Sequence, residues 1–489
     1  MTLVQGIGFI VAFIVAVLLE VLVAKKGGKR GLFKAALILA LLAVVLTWIV
    51  PYGYFNGSDM VTEEITRVGL DNVLQYGLLG MYYFPQLVAF VFILGGFYQV
   101  LASRPGYQKI VSWFGDKFKG KEYIFVVCIS VIFAGLTSVI NEYFVLLALV
   151  PFVLAILNKL KVDKISALSS TFGAILVGIA GSTISTKVSG TISSTFVDSY
   201  IWVRIIMLVV TCILLNVFTI LRMRKTLGDK KFQDYELFES TETKSKGKTH
   251  VWPYIVGIVL FVITLILAYL PWGTWGVTVF TSATDWVNKF EIAGVPIFSY
   301  VFGELKAFGE WDLFKIQFVM IVATLLIKLF AKVPFDEILE DYAEGFKKMS
   351  KLAILLLAVY VILEFSVMFP VIPVIVDWIQ SASKSFNICL AYLSALITSI
   401  FSVEPQYAVS LAGQYYASNF ASDKDILAIV FQSAYGIVSF FAPSSIILML
   451  GLSYLDIPYK EWMKYIWKFL VALVILVVII VAVMMLFIL

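Results

Sequence analysis

A chain of 489 residues that is 61% hydrophobic and 14% charged, with a mean hydropathy of +0.97, is not a soluble enzyme, whose charged fraction would be about a quarter. Apolar runs recur from end to end, which also excludes a soluble body on a single anchor. The net charge of +5 is small, so its meaning lies in where the basic residues fall.

Runs of about 20 apolar residues are long enough to span a bilayer. In chain order they predict spans over 3–24, 32–51, 80–101, 201–221, 252–270, 313–332, 352–369 and 466–489. The first lacks a basic start and a small-residue cleavage site, so it reads as a span and not as a signal peptide. Lys25, Lys26, Lys29 and Arg30 crowd the loop after it. Arg222, Arg224, Lys225, Lys230, Lys231, Lys244, Lys246 and Lys248 crowd the loop 222–250. Short basic loops face the cytoplasm, which predicts a multi-pass protein of the cytoplasmic (inner) membrane with its amino terminus outside. The acidic loop 52–76 and the stretch 271–311, with Trp272, Trp275, Trp286 and Trp311, then lie outside. Gly95-Gly96 marks a close helix contact. The amphipathic stretch 335–351 is expected along the inner face, and Tyr459 to Trp467 as an interfacial anchor there. Glu20, Glu364 and Asp377 near span ends are expected to face the interface. Cys128, Cys212 and Cys389 lie in apolar runs without ligand spacing and read as free, buried and structural.

Two regions resist assignment as simple spans. Residues 121–158 are entered from Lys109, Lys117, Lys119 and Lys121 and left through Lys159, Lys161 and Lys164, so both ends belong on one side and the segment predicts a re-entrant hairpin. Residues 386–420 start and end on the other side by the same count. The two also resemble each other: "LTSVINEYFVLLA" begins at Leu136 and "ITSIFSVEPQYAVSLA" at Ile397. Glu142 precedes Asp163 by 21 residues and Asp163 precedes Ser182 by 19; the intervals Glu404 to Asp425 and Asp425 to Ser444 are the same. "AGST" (180–183) thus falls opposite "APSS" (442–445). Inverted repeats with interrupted helices at corresponding positions point to a transporter site. Irregular backbone survives in a bilayer only where protein buries it or water reaches it. The fold class expected is therefore an all-α polytopic membrane protein, an inverted-repeat transporter with two re-entrant hairpins and two broken helices.

Thr137, Ser138, Asn141 and Glu142 lie at the first tip. Thr398, Ser399, Ser402 and Glu404 lie at the second. A carboxylate deep in a bilayer costs about 3 kcal/mol even on the mild insertion scale, so it pairs, protonates or meets an ion. The plain structural alternative is a carboxylate capping a hairpin helix, where the dipole favours it. Gly181 to Thr195 holds nine hydroxyls in fifteen residues, most of them expected to re-bond broken backbone. Gly181, Ser182 and Thr183, aligned with Pro443, Ser444 and Ser445, are the candidates for contact with solute or ion. Lys187, the one cation in that stretch, offers a contact to a carboxylate on the solute, with outward snorkelling the favoured reading. Sodium is a candidate near Asn141, Ser182, Ser402 and Ser444. Enzyme signatures are missing: the single histidine is His250, and there is no HExxH, GxSxG or P-loop pattern. No cofactor is expected beyond a coupling Na+ or H+, and topology accounts for the basic residues without nucleic acid.

Stretches spread over the chain resemble the ion transporter superfamily, specifically its YfcC-like and anaerobic C4-dicarboxylate carrier (DcuC-like) families. They are "LTWIVPYGYFNG" (46–57), "FILGGFYQVLASRPGYQKIVSWFGDKFKGKEY" (92–123), "VPFDEILEDYAEGFKKMSKLAILLLAVYVI" (333–362) and "APSSIILMLGLSYLDIPYKEWMKYIWKFL" (442–470). The resemblance implies a homodimer whose transport part slides against a scaffold, an elevator driven by sodium or protons. It implies scaffold over 1–120, transport domain over 121–200, scaffold over 201–385, transport domain over 386–452, and an inner amphipathic segment with the last span over 453–489. It places the site at Asn141, Glu142, Ser182, Thr183, Ser402, Glu404, Ser444 and Ser445. The chain departs from the family pattern with Asn141-Glu142 where two glutamates are usual, Gly181-Ser182 in place of Asn-Pro, and Ala442 and Ser444 in place of asparagine and threonine. The function expected is secondary-active transport of a small carboxylate-bearing solute, a C4-dicarboxylate or an amino acid. The alternatives are amino-acid antiport without net ion coupling and, behind it, a membrane-embedded enzyme or a channel.

Overall fold

The computed structural model describes residues 1–489 apart from 27–30, 84, 198–199, 229–231, 239–250, 384 and 489. The expectations for Lys29, Arg30, Lys230, Lys231, Lys244, Lys246, Lys248 and His250 lie outside the described residues. The first third of the chain forms α1 (Leu3–Lys26), α2 (Gly31–Ile49), the ribbon β1 (Gly53–Asn56) and β2 (Asp59–Thr62), α3 (Leu70–Tyr83), α4 (Pro85–Ala102) and α5 (Pro105–Phe118). Then come α6 (Glu122–Val139), α7 (Val150–Lys159), α8 (Lys164–Leu168), α9 (Ala174–Ala180), α10 (Thr191–Ser193), α11 (Ile201–Thr226) and α12 (Trp252–Tyr269). An irregular stretch holds α13 (Val279–Lys289), the small ribbon β3 (Glu291–Ile292) and β4 (Val295–Pro296), and α14 (Ile297–Phe302). The chain ends with α15 (Leu313–Ala331), α16 (Phe335–Met368), α17 (Ile372–Gln380), α18 (Ile388–Ile400), α19 (Pro405–Asn419), α20 (Lys424–Ser439), α21 (Ile446–Tyr454) and α22 (Tyr459–Ile488).

Among the described residues nine helices are long and apolar enough to cross a membrane, and α1, α12, α15 and α22 expose rows of large apolar side chains such as Leu18, Leu22, Leu260, Phe318 and Val478. Apolar surface of that extent faces lipid.

Helix α16 sets the frame. At 1.5 Å per residue its 34 residues extend beyond a bilayer core. At its start, Arg104 pairs with Glu337 at 2.5 Å and Asp341 at 2.6 Å. At its far end, Pro370 O accepts from Gly53 N at 3.0 Å. About a third of the way along, it crosses α4 backbone to backbone: a Cβ on Gly345 would stand 2.2 Å from Gly95 O, and one on Gly96 2.5 Å from the Tyr342 ring. The Gly95-Gly96 contact is therefore as expected. Gly345→Val should lower stability by about 3 kcal/mol through overpacking, read as a lower melting temperature in detergent, while Gly31→Ala, which meets open space, should not.

The two hairpins open on opposite faces of this frame. By length alone α6 is a crossing helix, but its start and the end of α7 lie together at the foot of α5. Phe118 and Phe125 rings are 4.9 Å apart, and a Cβ on Gly115 would meet Lys159 Cγ at 2.6 Å. This foot touches the 232–238 segment, Asn158 Nδ2 donating to Asp234 at 2.8 Å. Phe238 in turn stacks on Tyr98 near the Arg104 end of α4. The second hairpin, α18 and α19, has its feet at Phe386 and Phe420, with rings 5.5 Å apart. They adjoin the β1–β2 ribbon at the other end of α16, where Phe55 meets Tyr415 at 4.7 Å.

Both helices expected to break do so. The first runs through α8, a π turn at Ser169–Gly173 and α9, stops at Gly181, and resumes as a π turn at Thr186–Gly190 and α10. The second is α20, interrupted at 440–445, then α21. They cross at small residues: a Cβ on Gly436 would stand 2.4 Å from Ala180 Cβ.

Several expectations are corrected here. Residues 335–351 are the first half of α16 and continue straight into the span. Tyr459 and Trp462 belong to the first turn of the long α22, and both are buried. Cys128 and Cys389 are free but exposed, and only Cys212 is buried. Glu364 is buried rather than interfacial.

Asp163, in the turn between α7 and α8, caps α8 through Ile165 N and Ser166 N. It also pairs with Arg222 at 2.7 Å, tying α11 to the first broken helix. Burial alone would raise its carboxyl, but the Arg222 guanidinium and the Ser166 and Thr226 hydroxyls hold it below the usual carboxylate range. A depressed folded-state value adds stability above the unfolded carboxylate range, lost as pH falls through the folded value. Asp163→Asn should therefore cost about 2 kcal/mol at neutral pH and flatten the acid limb of the melting-temperature profile below roughly pH 4.

Candidate functional site

The first tip is made by a helix that cannot continue. After Ile140, in extended conformation, Asn141 N donates to Tyr269 O at 2.8 Å and its Nδ2 to Gly309 O at 2.7 Å. The tip is thus tied to the end of α12 and the loop after α14. Glu142 follows as N-cap of the 3₁₀ turn Tyr143–Ala148, its Oε1 accepting from Phe144 N at 3.2 Å. This satisfies one of the orphan donors every helix start carries. Its other oxygen, Oε2, lies 2.7 Å from Lys187 Nζ.

Lys187 does not snorkel. It rises from the π turn that follows the first break, and its ammonium sits between the two tips, 3.0 Å from Glu404 Oε2 as well. The Glu404 contact is a close ion pair, and Lys187 is the partner the described contacts give that buried oxygen. The faces of Phe144 and Tyr143 lie 4.6 and 5.4 Å from the ammonium, within cation–π range. Lys187, Glu142 and Glu404 side chains are 18, 16 and 8% exposed, so the charges are largely desolvated while solvent still reaches them. With two carboxylates to one ammonium, the triad carries one formal negative charge in excess.

The two carboxylates differ. Glu142 caps a helix and holds the lysine. Glu404 stands at the N-cap of α19 without accepting a capping bond, so its charge is committed to Lys187. The capping alternative thus describes only the first.

Behind the first tip the breaks are re-bonded by hydroxyls and amides, as bilayer backbone requires. Ser138 O accepts from Thr183 N at 3.0 Å, Thr183 Oγ1 at 3.2 Å and Ser182 Oγ at 3.4 Å, and Ser138 Oγ reaches Gly181 O at 3.3 Å. Gly181 is required there because a Cβ would stand 2.5 Å from Leu208 Cα on α11. Gln432, on α20, donates to Ser182 O at 2.8 Å and Ala180 O at 3.2 Å, so the second broken helix closes the first. Thr137, Thr398, Ser399 and Ser402 each donate to a carbonyl one turn back in their own arm. Their donors are spent and only lone pairs remain. The second break is re-bonded from elsewhere: Trp462 Nε1 donates to Phe440 O at 2.8 Å, and Tyr459 OH bonds Phe441 O. Pro443 and Ser444 lie within it, and Ser445 holds the N-cap position of α21 without a side-chain capping bond.

Of the predicted residues the structure joins Glu142 to Glu404 through Lys187, and Ser138 to Gly181, Ser182 and Thr183. Ser444 Oγ and Asn141 Oδ1 are buried without partners. Among the described residues no group of three or more His, Cys, Asp or Glu side chains is placed to hold a metal. Gln432 and Trp462 were not foreseen as site residues, and Lys187 was placed outward rather than between the tips. For Lys187 the signal was charge arithmetic, two tip carboxylates and one cation between the repeats; for the other two, local sequence carried none.

Opposed hairpins whose tips close on a largely desolvated ion triad, inside helices faced with lipid-exposed apolar side chains, are the architecture of a membrane transporter. The chain belongs to the DcuC family of C4-dicarboxylate anaerobic carriers, whose family profile matches residues 31–487. No curated protein matches it. Among solved structures it is similar to the YdaH transporter of Alcanivorax borkumensis, described as having an unusual topology. That likeness has 11% identity and a TM-score of 0.42, over 93% of this chain and 98% of that one.

Proposed function

We propose that the protein is a secondary-active transporter of a small carboxylate-bearing solute, a C4-dicarboxylate or an amino acid, working in the cytoplasmic membrane by an elevator motion coupled to a sodium or proton gradient. The Glu142–Lys187–Glu404 triad carries the reading. Its ammonium is the one cation on the two tip carboxylates among the described ion pairs, and it offers a solute carboxylate a partner. Its excess negative charge repels a bare dianion, so a dicarboxylate needs accompanying cations, which favours gradient coupling. An amino acid is the second reading, favoured because the triad presents both signs of charge, and antiport fits it without net ion coupling.

The moving part comprises both hairpins and both broken helices. We add α11 and α22 to it, because Leu208 seats Gly181 and Trp462 caps α20. Helices α2, α4, α12, α15 and α16 form the scaffold, expected to carry a homodimer contact, with the amino terminus outside. Sodium, where it is the coupling ion, is proposed near Asn141, Ser182, Ser402 and Ser444, whose oxygens suit a hard cation. Proteoliposomes should accumulate succinate or an amino acid only under an imposed Na+ or H+ gradient. Uptake of neither, or uptake indifferent to every gradient, would count against the reading.

A further inference from the structure

We propose that Lys187 is the resident cation of the tip site: its ammonium fills a seat for one monovalent cation between Glu142 and Glu404, and a small free cation takes that seat when the lysine is removed. The inference deepens the transporter reading but its main test does not depend on it. Three features on different elements build the seat. Oxygens from both hairpin tips approach one nitrogen at 2.7 and 3.0 Å, and two ring faces of the first tip close the remaining side. The nitrogen itself is delivered by the broken helix, whose Ser185 hydroxyl, two residues before, is buried without a partner. Glu404 Oε2 is likewise buried with only the ionic contact. A buried pair that loses one member leaves the other uncompensated. Here removing Lys187 leaves two like charges facing one vacated position. With two carboxylates and no third acidic, thiol or imidazole group nearby among the described residues, the seat suits a single positive charge rather than a transition metal. Lysine, a compact ammonium on a flexible stem, supplies that charge from within the chain.

The test is melting of nanodisc-embedded protein in choline buffer, with sodium or methylammonium added. Wild type should gain nothing from methylammonium, and nothing from sodium that Glu404→Gln removes. Lys187→Ala should melt lower in choline and recover saturably with methylammonium or sodium, since a ligand of the folded state alone stabilises by mass action. Recovery should vanish when Glu404→Gln is added. Where Lys187→Ala does not fold, Lys187→Gln is carried through the same series. A melting temperature of either variant that ignores both cations overturns the proposal, as does saturable sodium stabilisation of wild type that Glu404→Gln removes. Cation-rescued melting without solute uptake by any variant would sustain this inference and remove the transport reading. Full uptake by Lys187→Ala without a small cation would overturn the inference and leave transport standing.

Discussion

Glu404→Gln should reduce gradient-driven uptake on the order of 100-fold, while the protein still inserts and melts within a few degrees of wild type. Truncating one partner of a desolvated charge pair costs about 2–5 kcal/mol, and 1.36 kcal/mol is a tenfold change in rate. The amide keeps the volume and gives up only the charge. Glu404 is the informative member because its side chain accepts no capping bond; its oxygen lies against Lys187 and holds up no backbone. Glu142→Gln should also lose uptake but adds a weaker cap at Phe144 N, so its loss mixes folding with function. Uptake by Glu404→Gln within threefold of wild type would remove the triad from the mechanism.

The architecture was legible where chemistry repeats at a fixed interval. Lysines at both ends of 121–158 implied a hairpin, and the feet of α6 and α7 lie together as that requires. The equal intervals from Glu142 to Ser182 and from Glu404 to Ser444 marked two breaks, and both helices stop there. Lys187 was misplaced because depth counting treats a lysine as an isolated amphipath that seeks the interface. Its position follows only once two carboxylates from distant segments are brought to one point. The same limit hid Trp462. Its neighbours Lys460 and Lys464 make a periodic amphipathic segment, yet the indole is fully buried because α20 ends beside it. Cys128 and Cys389 failed for another reason: in lipid an apolar run no longer implies burial, since the outside is apolar too.

Gln432→Leu should strongly destabilise the protein although it nearly preserves side-chain volume. The Gln432 amide is the only tie the described contacts give between α20 and the two freed carbonyls of the first break, Ala180 O and Ser182 O. A buried acceptor left without its donor costs about 1–3 kcal/mol, so losing both predicts about 4 kcal/mol, with no lipid-side water to make up the loss. Trp462→Phe removes one donor, that to Phe440 O, and should cost about 2 kcal/mol by the same count, plus whatever the smaller ring leaves unfilled. The two variants probe the two breaks separately, and hydrogen exchange distinguishes them. Gln432→Leu should loosen amides at 181–185, and Trp462→Phe those at 440–445, each sparing the other break. The breaks differ in what re-bonds them: the first is closed by Ser138 of its own hairpin and by its inverted mate, the second by a helix outside the repeat. Equal loosening of both breaks in either variant would mean that they open as one unit and that this asymmetry carries no energetic weight.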